Sequence, residues 1–507
     1  MKRLISLWVD YYTKHPFRAI LFVALFVRII AVIFSKGYAM MDDHYLIIEQ
    51  PQQWVDHYDE NKWLPQYGAT TPSGHSMFYI GIHYLLFWIL QTLGIVDAQI
   101  KMYFVRFLHA LWSLGIVYWG YLIVNKLSNQ YYAKNTAWIL SLIWLFPFLS
   151  VRQLVEFTCI PFFLWSIWLI IKNEKQSWSN IFIAGFIGAL SVSIRFQTFL
   201  IIIGIALSLM MQKKLKRAIY YSMGALLSFV VIQGFIDFII WKKPFAEFAE
   251  YVRYNLENKY NYFRGNWYNY ILLLLGLLLP PVSFFIFWGW IKSFGKYLIL
   301  SLPIILFLLF HMYFPNRQER FILPILPLFI MQGTMGWLSF KETSGYWNQR
   351  KKLYKILISI SLILNFILLV PLTLMYSKRS YVEAMTYLKN KPITYLVIDD
   401  KNHDSDPIIP RFYMQRWDRY YKVCGTRPVT QLAKVKDYLI KHHRSMPNYF
   451  LFFEEENLSQ RVDSMKMLFP NIKLDTIVYP GFVDKVMHFL NKRNKNQTIF
   501  VYKNENI

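Results

Sequence analysis

The stretch FRAILFVALFVRIIAVIF (17–34), followed within a few residues by GYAMMDDHYLIIEQ (37–50), sets an apolar run directly before a pair of carboxylates, Asp42 and Asp43. The run is close to the ~20 residues with which a helix crosses ~30 Å of hydrocarbon. It follows Lys2, Arg3, Lys14 and Arg18 and lacks a small-residue cleavage site, so it reads as a retained signal anchor with a cytoplasmic N-terminus. An acidic pair at a membrane surface is a seat for base chemistry on a lipid-linked substrate.

Runs of the same kind recur along the chain. The 507 residues are 55% hydrophobic and 19% aromatic, which defines a polytopic membrane protein. The formal charge is +25, with lysines and arginines in short loops and near the C-terminus. No folded basic module accompanies them, so nucleic acid is not an expected partner; orientation and anionic headgroups account for the excess. Two cysteines, Cys159 and Cys424, exclude a disulfide framework and a cysteine metal site.

Beyond the anchor lies a polar loop, 35–76, long enough to carry function, whose spaced aromatics and acids suit short amphipathic helices in the interface. Apolar segments follow at 76–93, 103–124, 136–150, 154–171, 180–194, 196–211, 216–240, 268–290, 297–314, 320–340 and 354–376. The basic loops QKKLKR (212–217) and NQRKK (348–352) are assigned to the cytoplasm. Loop 242–267, the turn PNRQER (315–320) and everything after 377 then fall outside. A cytoplasmic N-terminus and an external tail require an odd number of crossings, whereas the apolar segments number twelve, so one is expected to be re-entrant or a weak one is hidden. After about residue 377 the strand-like runs ITYLVIDD (393–400), NYFLFFEEEN (448–457) and QTIFVYKN (497–504) alternate with helix-compatible VTQLAKVKDYLIKHH (429–443). This predicts a small α/β domain over 377–507, outside the bilayer, after a transmembrane domain over 1–376.

Several side chains are candidates for chemistry. Asp42 and Asp43 read either as a base pair of carboxylates or as a solvated loop, and Glu49 either shares their site or caps a short helix. His44 has no second histidine or cysteine at metal spacing, so no metal site is expected, although a divalent ion stays open. Arg106, Arg152, Glu156, Arg195, Asp237, His311 and Arg320 lie in or at the rims of apolar segments, where each costs a few kcal/mol and needs a cavity or a partner. Arg152 and Glu156 stand four apart and can pair on one helix face. Converging arginines fit a phosphate, because guanidinium matches its oxygens bidentately. Arg317 and Arg320 at the outer end of a helix suit the same role or that of snorkelling anchors. Asn255, Trp267 and Tyr270, in the aromatic and amide-rich stretch 255–271, suit stacking on sugar faces, or an interfacial aromatic belt.

Taken in order, MMDD (40–43), RQLVE (152–156), IRFQ (194–197), NLENKYNYFRGNWYNYI (255–271) and NRQERFILP (316–324) resemble the motifs of the GT-C superfamily of polytopic glycosyltransferases, most closely the family 22 mannosyltransferases of GPI anchors and lipid-linked oligosaccharides. The family's His-Pro-Asp-Glu is replaced here by Met40-Met41-Asp42-Asp43, and its His-Lys-Glu by Asn316-Arg317-Gln318; Arg320, Phe321 and Pro324 match. His311 is a candidate substitute for the missing histidine.

The resemblance implies a GT-C fold of about 11–13 transmembrane helices and an inverting transfer of mannose or a related hexose from a polyprenyl phosphate to a lipid-linked or surface glycan, without a required cofactor. Asp42 would be the base with Asp43 in support, and Arg152, Arg195 and Arg320 would hold the donor phosphate. Glu156, His311 and Arg317 belong to the same candidate donor set, and Glu49, Asn255, Trp267 and Tyr270 to the acceptor or sugar set. A bacterial inner membrane with a periplasmic active face is expected, with the endoplasmic reticulum lumen as the alternative. Competing readings are a lipid A aminosugar or protein O-mannosyl transferase, a lipid or glycan transporter, and a non-catalytic subunit; the absence of an internal repeat speaks against transport.

Overall fold

The computed structural model describes residues 2–173, 177–262, 265–400, 408–418, 420–425, 429–492 and 494–505. The chain divides into two compact units. A helical unit comprises 1–33, 58–85 and 104–374; a C-terminal unit gathers 375–507 with 34–57 and 86–103.

The helical unit is that of an integral, multi-pass membrane protein. Five of its described helices are long and apolar enough to cross a bilayer: Pro16–Phe34, Ala98–Leu127, Leu215–Trp241, Glu319–Thr343 and Lys351–Thr373. Shorter apolar helices include Met77–Thr92, Val155–Ile171, Trp178–Leu190, Phe196–Met211, Val282–Lys292 and Leu298–Tyr313. Lipid tails are as apolar as leucine, so helices here are held by close packing at small residues. Trp178–Leu190 and Leu215–Phe229 show it: a Cβ on Gly185 would lie 1.9 Å from the Tyr221 carbonyl oxygen, and one on Gly224 1.9 Å from that of Phe182.

The segment 268–290 is not one helix, contrary to the reading of its composition. It divides into Asn269–Leu277 and Val282–Lys292 around Pro280-Pro281, where ring closure removes two backbone donors. The segment 136–150 likewise ends as a helix at Leu142 and resumes briefly at Phe146–Leu149.

The C-terminal unit holds a five-stranded sheet of β1 (Leu396–Asp400), β2 (Tyr420–Cys424), β3 (Tyr449–Phe453), β4 (Ile472–Val478) and β5 (Ile499–Asn504), in the order β2-β1-β3-β5-β4. β1 runs parallel to β2 and β3, and β5 antiparallel to β3 and β4. Val397, Phe450, Phe452 and Phe500 build the core with Leu432 of helix Val429–Lys441 and Val462 and Met465 of helix Leu458–Lys466. The three strands legible in the sequence are the central ones. β2 and β4 are edges, and β4 carries Lys473 and Asp475 on exposed positions, a common way to blunt an edge that also interrupts its apolar run.

In the same unit, the Ser377 N–H donates to the Lys36 carbonyl at 3.1 Å and the Ser35 hydroxyl to the Met375 carbonyl at 3.2 Å. Gly37 permits this: its φ is +74°, and a Cβ would lie 1.8 Å from the Ser377 carbonyl oxygen. The chain leaving Pro16–Phe34 therefore meets the chain leaving Lys351–Thr373.

Candidate active site

In the helical unit, three interruptions between apolar helices deliver the charges. Arg152 follows the short helix Phe146–Leu149 and precedes the turn Val155–Thr158, which carries Glu156. Arg195 is an extended residue (φ −139°, ψ 103°) between Trp178–Leu190 and Phe196–Met211. Arg320 opens the 3-10 turn Glu319–Ile325 ahead of Pro324.

These interruptions converge on Glu156, which is fully buried. Arg195 Nη2 lies 3.2 Å from Glu156 Oε1 and Arg320 Nε 3.6 Å from the same oxygen. The Arg195 contact is an ion pair off hydrogen-bond geometry, and the second carboxylate oxygen, Oε2, is buried without a hydrogen bond. Arg195 also lies 4.7 Å over the Phe321 ring, and Arg320 donates to Gln318 Oε1 at 3.0 Å. Two cations thus share one carboxylate, and unlike it they reach outward: the side chains of Arg195 and Arg320 are 15% and 13% exposed. Placement in an apolar unit strengthens the attraction of such cations for an anion.

Arg152 does not pair with Glu156 along a helix, because the chain between them is not helical; its guanidinium lies 4.5 Å over the Phe148 ring. His311 closes helix Leu298–Tyr313, stacked on Phe307 at 4.1 Å and edge-on to Tyr270 and Phe321. Its Nδ1 donates to the Phe307 carbonyl at 2.8 Å, while Nε2 is buried without a hydrogen bond. Tyr270 donates to the Gln318 carbonyl at 3.0 Å, and Arg317 donates to the carbonyls of Met312 and Gly265. Both hold the backbone that presents Arg320. Asn255 donates to Tyr251 of its own helix, and Trp267 is 59% exposed with its edge to Tyr268. Phe263 and Arg264 of the aromatic stretch lie outside the described residues. Arg106 donates to the Val32 carbonyl at 2.9 Å, apart from this cluster.

A buried polar chain, of which the sequence marked only Asp237, braces the Arg195 turn. The Ser76 hydroxyl touches the Ser193 carbonyl at 2.6 Å and Gln233 Oε1 at 2.8 Å, and Gln233 donates to Asp237 at 2.9 Å. Asp237 accepts the Glu247 N–H at 3.0 Å, at the start of helix Ala246–Glu257. That is the capping role of a carboxylate at the positive end of a helix. Glu247 accepts from the Gly74 N–H at 2.6 Å, the Ser73 hydroxyl and Trp241 Nε1. Burial outweighs these bonds and pushes the Glu247 carboxyl up to about 7. Tyr251, packed on Phe196 at 5.0 Å, has its hydroxyl pushed above its ordinary range by burial, an effect that Arg195 opposes and Glu156 reinforces. Serine, glutamine and tyrosine carry no pattern that distinguishes such a role in sequence.

In the C-terminal unit, a helical stretch runs through Met41–His44, a π-helical turn Tyr45–Glu49 and Gln50–Val55. Asp42 lies in its first turn and is exposed, while Asp43 is buried. His44 is stacked between Tyr38 at 4.5 Å and Tyr413 at 5.5 Å, with Nε2 3.6 Å from Glu49 Oε1. Glu49 is buried and accepts the Phe412 N–H at 3.0 Å. The π turn shifts the helical phase, so Asp42 faces outward while Glu49 holds the stretch to the 3-10 turn Arg411–Met414. Among the described residues no group of three or more His, Cys, Asp or Glu could hold a metal ion.

The helices, the interrupted charged turns and the C-terminal sheet define a GT-C architecture, and it is shared with solved enzymes of that fold. ArnT from Cupriavidus metallidurans superposes with a TM-score of 0.59 in its apo state and 0.61 in its undecaprenyl phosphate complex. Sequence identity is 10% in both, over 99% and 98% of this chain and 98% of that one. The chain belongs to the Alg9-like mannosyltransferase family, which matches over residues 19–404. A stretch of 169 residues is 26% identical to GPI mannosyltransferase 3 of Saccharomyces cerevisiae, covering 31% of this chain and about a quarter (27%) of the yeast protein.

Proposed function

We propose that the protein is a membrane glycosyltransferase that moves mannose or a related hexose from a polyprenyl phosphate to a lipid-linked or surface glycan. The observation that carries this is the buried Glu156, whose one oxygen faces both Arg195 and Arg320. The net positive charge of this trio, in an apolar unit, suits a lipid-borne phosphate. Membership of the Alg9-like mannosyltransferase family supports the sugar, and the undecaprenyl phosphate bound by ArnT supports the donor class.

In this reading, Asp42 takes the proton from an acceptor hydroxyl as its oxygen bonds to the anomeric carbon. The bond from that carbon to the phosphate oxygen breaks with inversion, and the electron pair leaves on the polyprenyl phosphate. Arg195 and Arg320, with Arg152, stabilise the charge arriving there. Asp43 supports the base, and His311 and Arg317 serve the donor set by shaping the turn that carries Arg320. Glu49, Asn255, Trp267 and Tyr270 are the proposed acceptor-side set; Trp267 is the one whose ring is open for stacking, and Glu49 and Tyr270 act by holding backbone. No step is assigned to a metal or other cofactor. The active face is proposed to be periplasmic in a bacterial inner membrane, with the endoplasmic reticulum lumen as the alternative.

The test is transfer from polyprenyl-phosphate mannose and related lipid-linked sugars to native glycolipid extract in liposomes, for wild type and Asp42→Asn. Wild-type transfer that falls by about 10²–10⁴-fold in the folded variant supports the reading, since that is the range of general-base catalysis. No transfer from any donor by folded wild type would move the protein to transport or scaffolding.

A further inference from the structure

The helix Phe482–Leu490 in the C-terminal unit is amphipathic, yet it is turned inside out. Its buried residue is Asp484, directed inward near Lys378 and Gln497, and His488 on the same side donates from Nδ1 to the Asn494 carbonyl. Its apolar residues face outward: Phe482 is 76% exposed, Phe489 78% and Leu490 71%, with Val486 and Met487 also exposed. At 3.6 residues per turn, positions 482, 486, 489 and 490 form one contiguous stripe. A polar face toward a protein core and an aromatic and aliphatic face outward suit neither solvent nor a packed sheet, and large exposed apolar patches mark interaction sites.

What covers the stripe follows from where the helix begins. Gly481 is pressed on the Tyr376 backbone: a Cβ there would lie 2.7 Å from the Tyr376 carbonyl oxygen. Tyr376 stands three residues beyond Thr373, the end of the 23-residue apolar helix Lys351–Thr373. Three residues of chain span at most about 10 Å, so the helix starts within that reach of the point where the chain leaves hydrocarbon. Lys485 within the helix and Lys492 just after it are exposed, the charge that anionic headgroups attract.

We propose that Phe482–Leu490 is an interfacial helix whose Phe482, Val486 and Phe489 face sits in the lipid bilayer at the headgroup boundary. It is a second attachment of the C-terminal unit to the membrane, besides the chain itself, and it stands whether or not the glycosyltransferase reading holds.

The test uses the full chain in vesicles of phosphatidylethanolamine and phosphatidylglycerol, with spin labels at Val486→Cys and Phe489→Cys and a control at the exposed Gln460→Cys; the native Cys159 and Cys424 are both buried. Accessibility to oxygen and to a water-soluble nickel chelate is compared by electron paramagnetic resonance. Labels at 486 and 489 that favour oxygen while 460 favours the chelate support the proposal. Labels at 486 and 489 as open to the chelate as 460, or shielded from both relaxers by protein, overturn it.

Discussion

Two arginine sites in this protein, each built around a buried carboxylate, are made on opposite terms. In the C-terminal unit, Arg461 meets Asp399 at 3.0 Å and donates further to the carbonyls of Asp399, Glu454 and Glu456, so every nitrogen of the guanidinium has an acceptor. In the helical unit, Arg195 and Arg320 share one oxygen of Glu156, the Arg195 contact is off hydrogen-bond geometry, and the other carboxylate oxygen has no donor. A buried cation with an acceptor on every nitrogen is architecture; Arg195, whose Nη2 makes no hydrogen bond, is poised for a ligand, because a polar group without a hydrogen bond costs free energy that an incoming anion can return.

The largest expected effect lies on the saturated side. Arg461→Ala should lower stability by about 3–5 kcal/mol, the cost of stranding a buried partner, read by thermal melts of the C-terminal unit's circular dichroism within the full chain. Replacing both partners, Arg461→Met with Asp399→Leu, should recover most of it. A single substitution without effect would erase the contrast.

On the unsaturated side, Arg195→Ala should reduce transfer by about 10²–10³-fold, as removal of one charge-stabilising donor does, with little change in melting temperature. Arg195→Lys should recover only part, since an ammonium lacks the fork geometry. A large drop in melting temperature instead would place Arg195 with Arg461.

Glu156→Gln sharpens the comparison. Removal of the one negative charge should lower stability by about 1–3 kcal/mol and tighten binding of free polyprenyl phosphate several-fold, seen as stronger product inhibition. Weaker inhibition would mean that Glu156 itself contacts the ligand.

The smallest effect concerns the brace. The Glu247 carboxyl rises from its ordinary 4.5 to about 7 on folding, so the folded state holds its proton more tightly. Its contribution is fully present below pH 4.5 and is lost as pH rises through about 7. Glu247→Gln should flatten the stability profile between those values; a melting curve with unchanged pH slope would show that this group does not titrate there.

The two units also differ in how far they were legible. Apolar runs reported the membrane helices, and alternation reported the central strands, because both patterns are written in adjacent residues. Edge strands β2 and β4 escaped, since their charges break the alternation. The segment 268–290 misled, because hydropathy does not register the two prolines that divide it. Arg152, Glu156, Arg195 and Arg320 stood out as charges in apolar surroundings, yet a pairing of Arg152 with Glu156 was as readable as the observed meeting of Arg195 and Arg320 on Glu156.

By itself, then, the sequence determined that this chain spans a membrane many times, ends in an α/β unit and carries stranded charges at a few interruptions, since burial cost and local periodicity act on neighbouring residues. Only the tertiary structure decided which charges share a carboxylate, that Glu49 turns inward while Asp42 stays exposed, and that Phe482–Leu490 shows its apolar face outward. Those outcomes depend on how helices pack at Gly185 and Gly224, how a π turn shifts a helical phase and where a domain meets its own tether, and contacts between residues far apart in the chain leave no periodic trace in it.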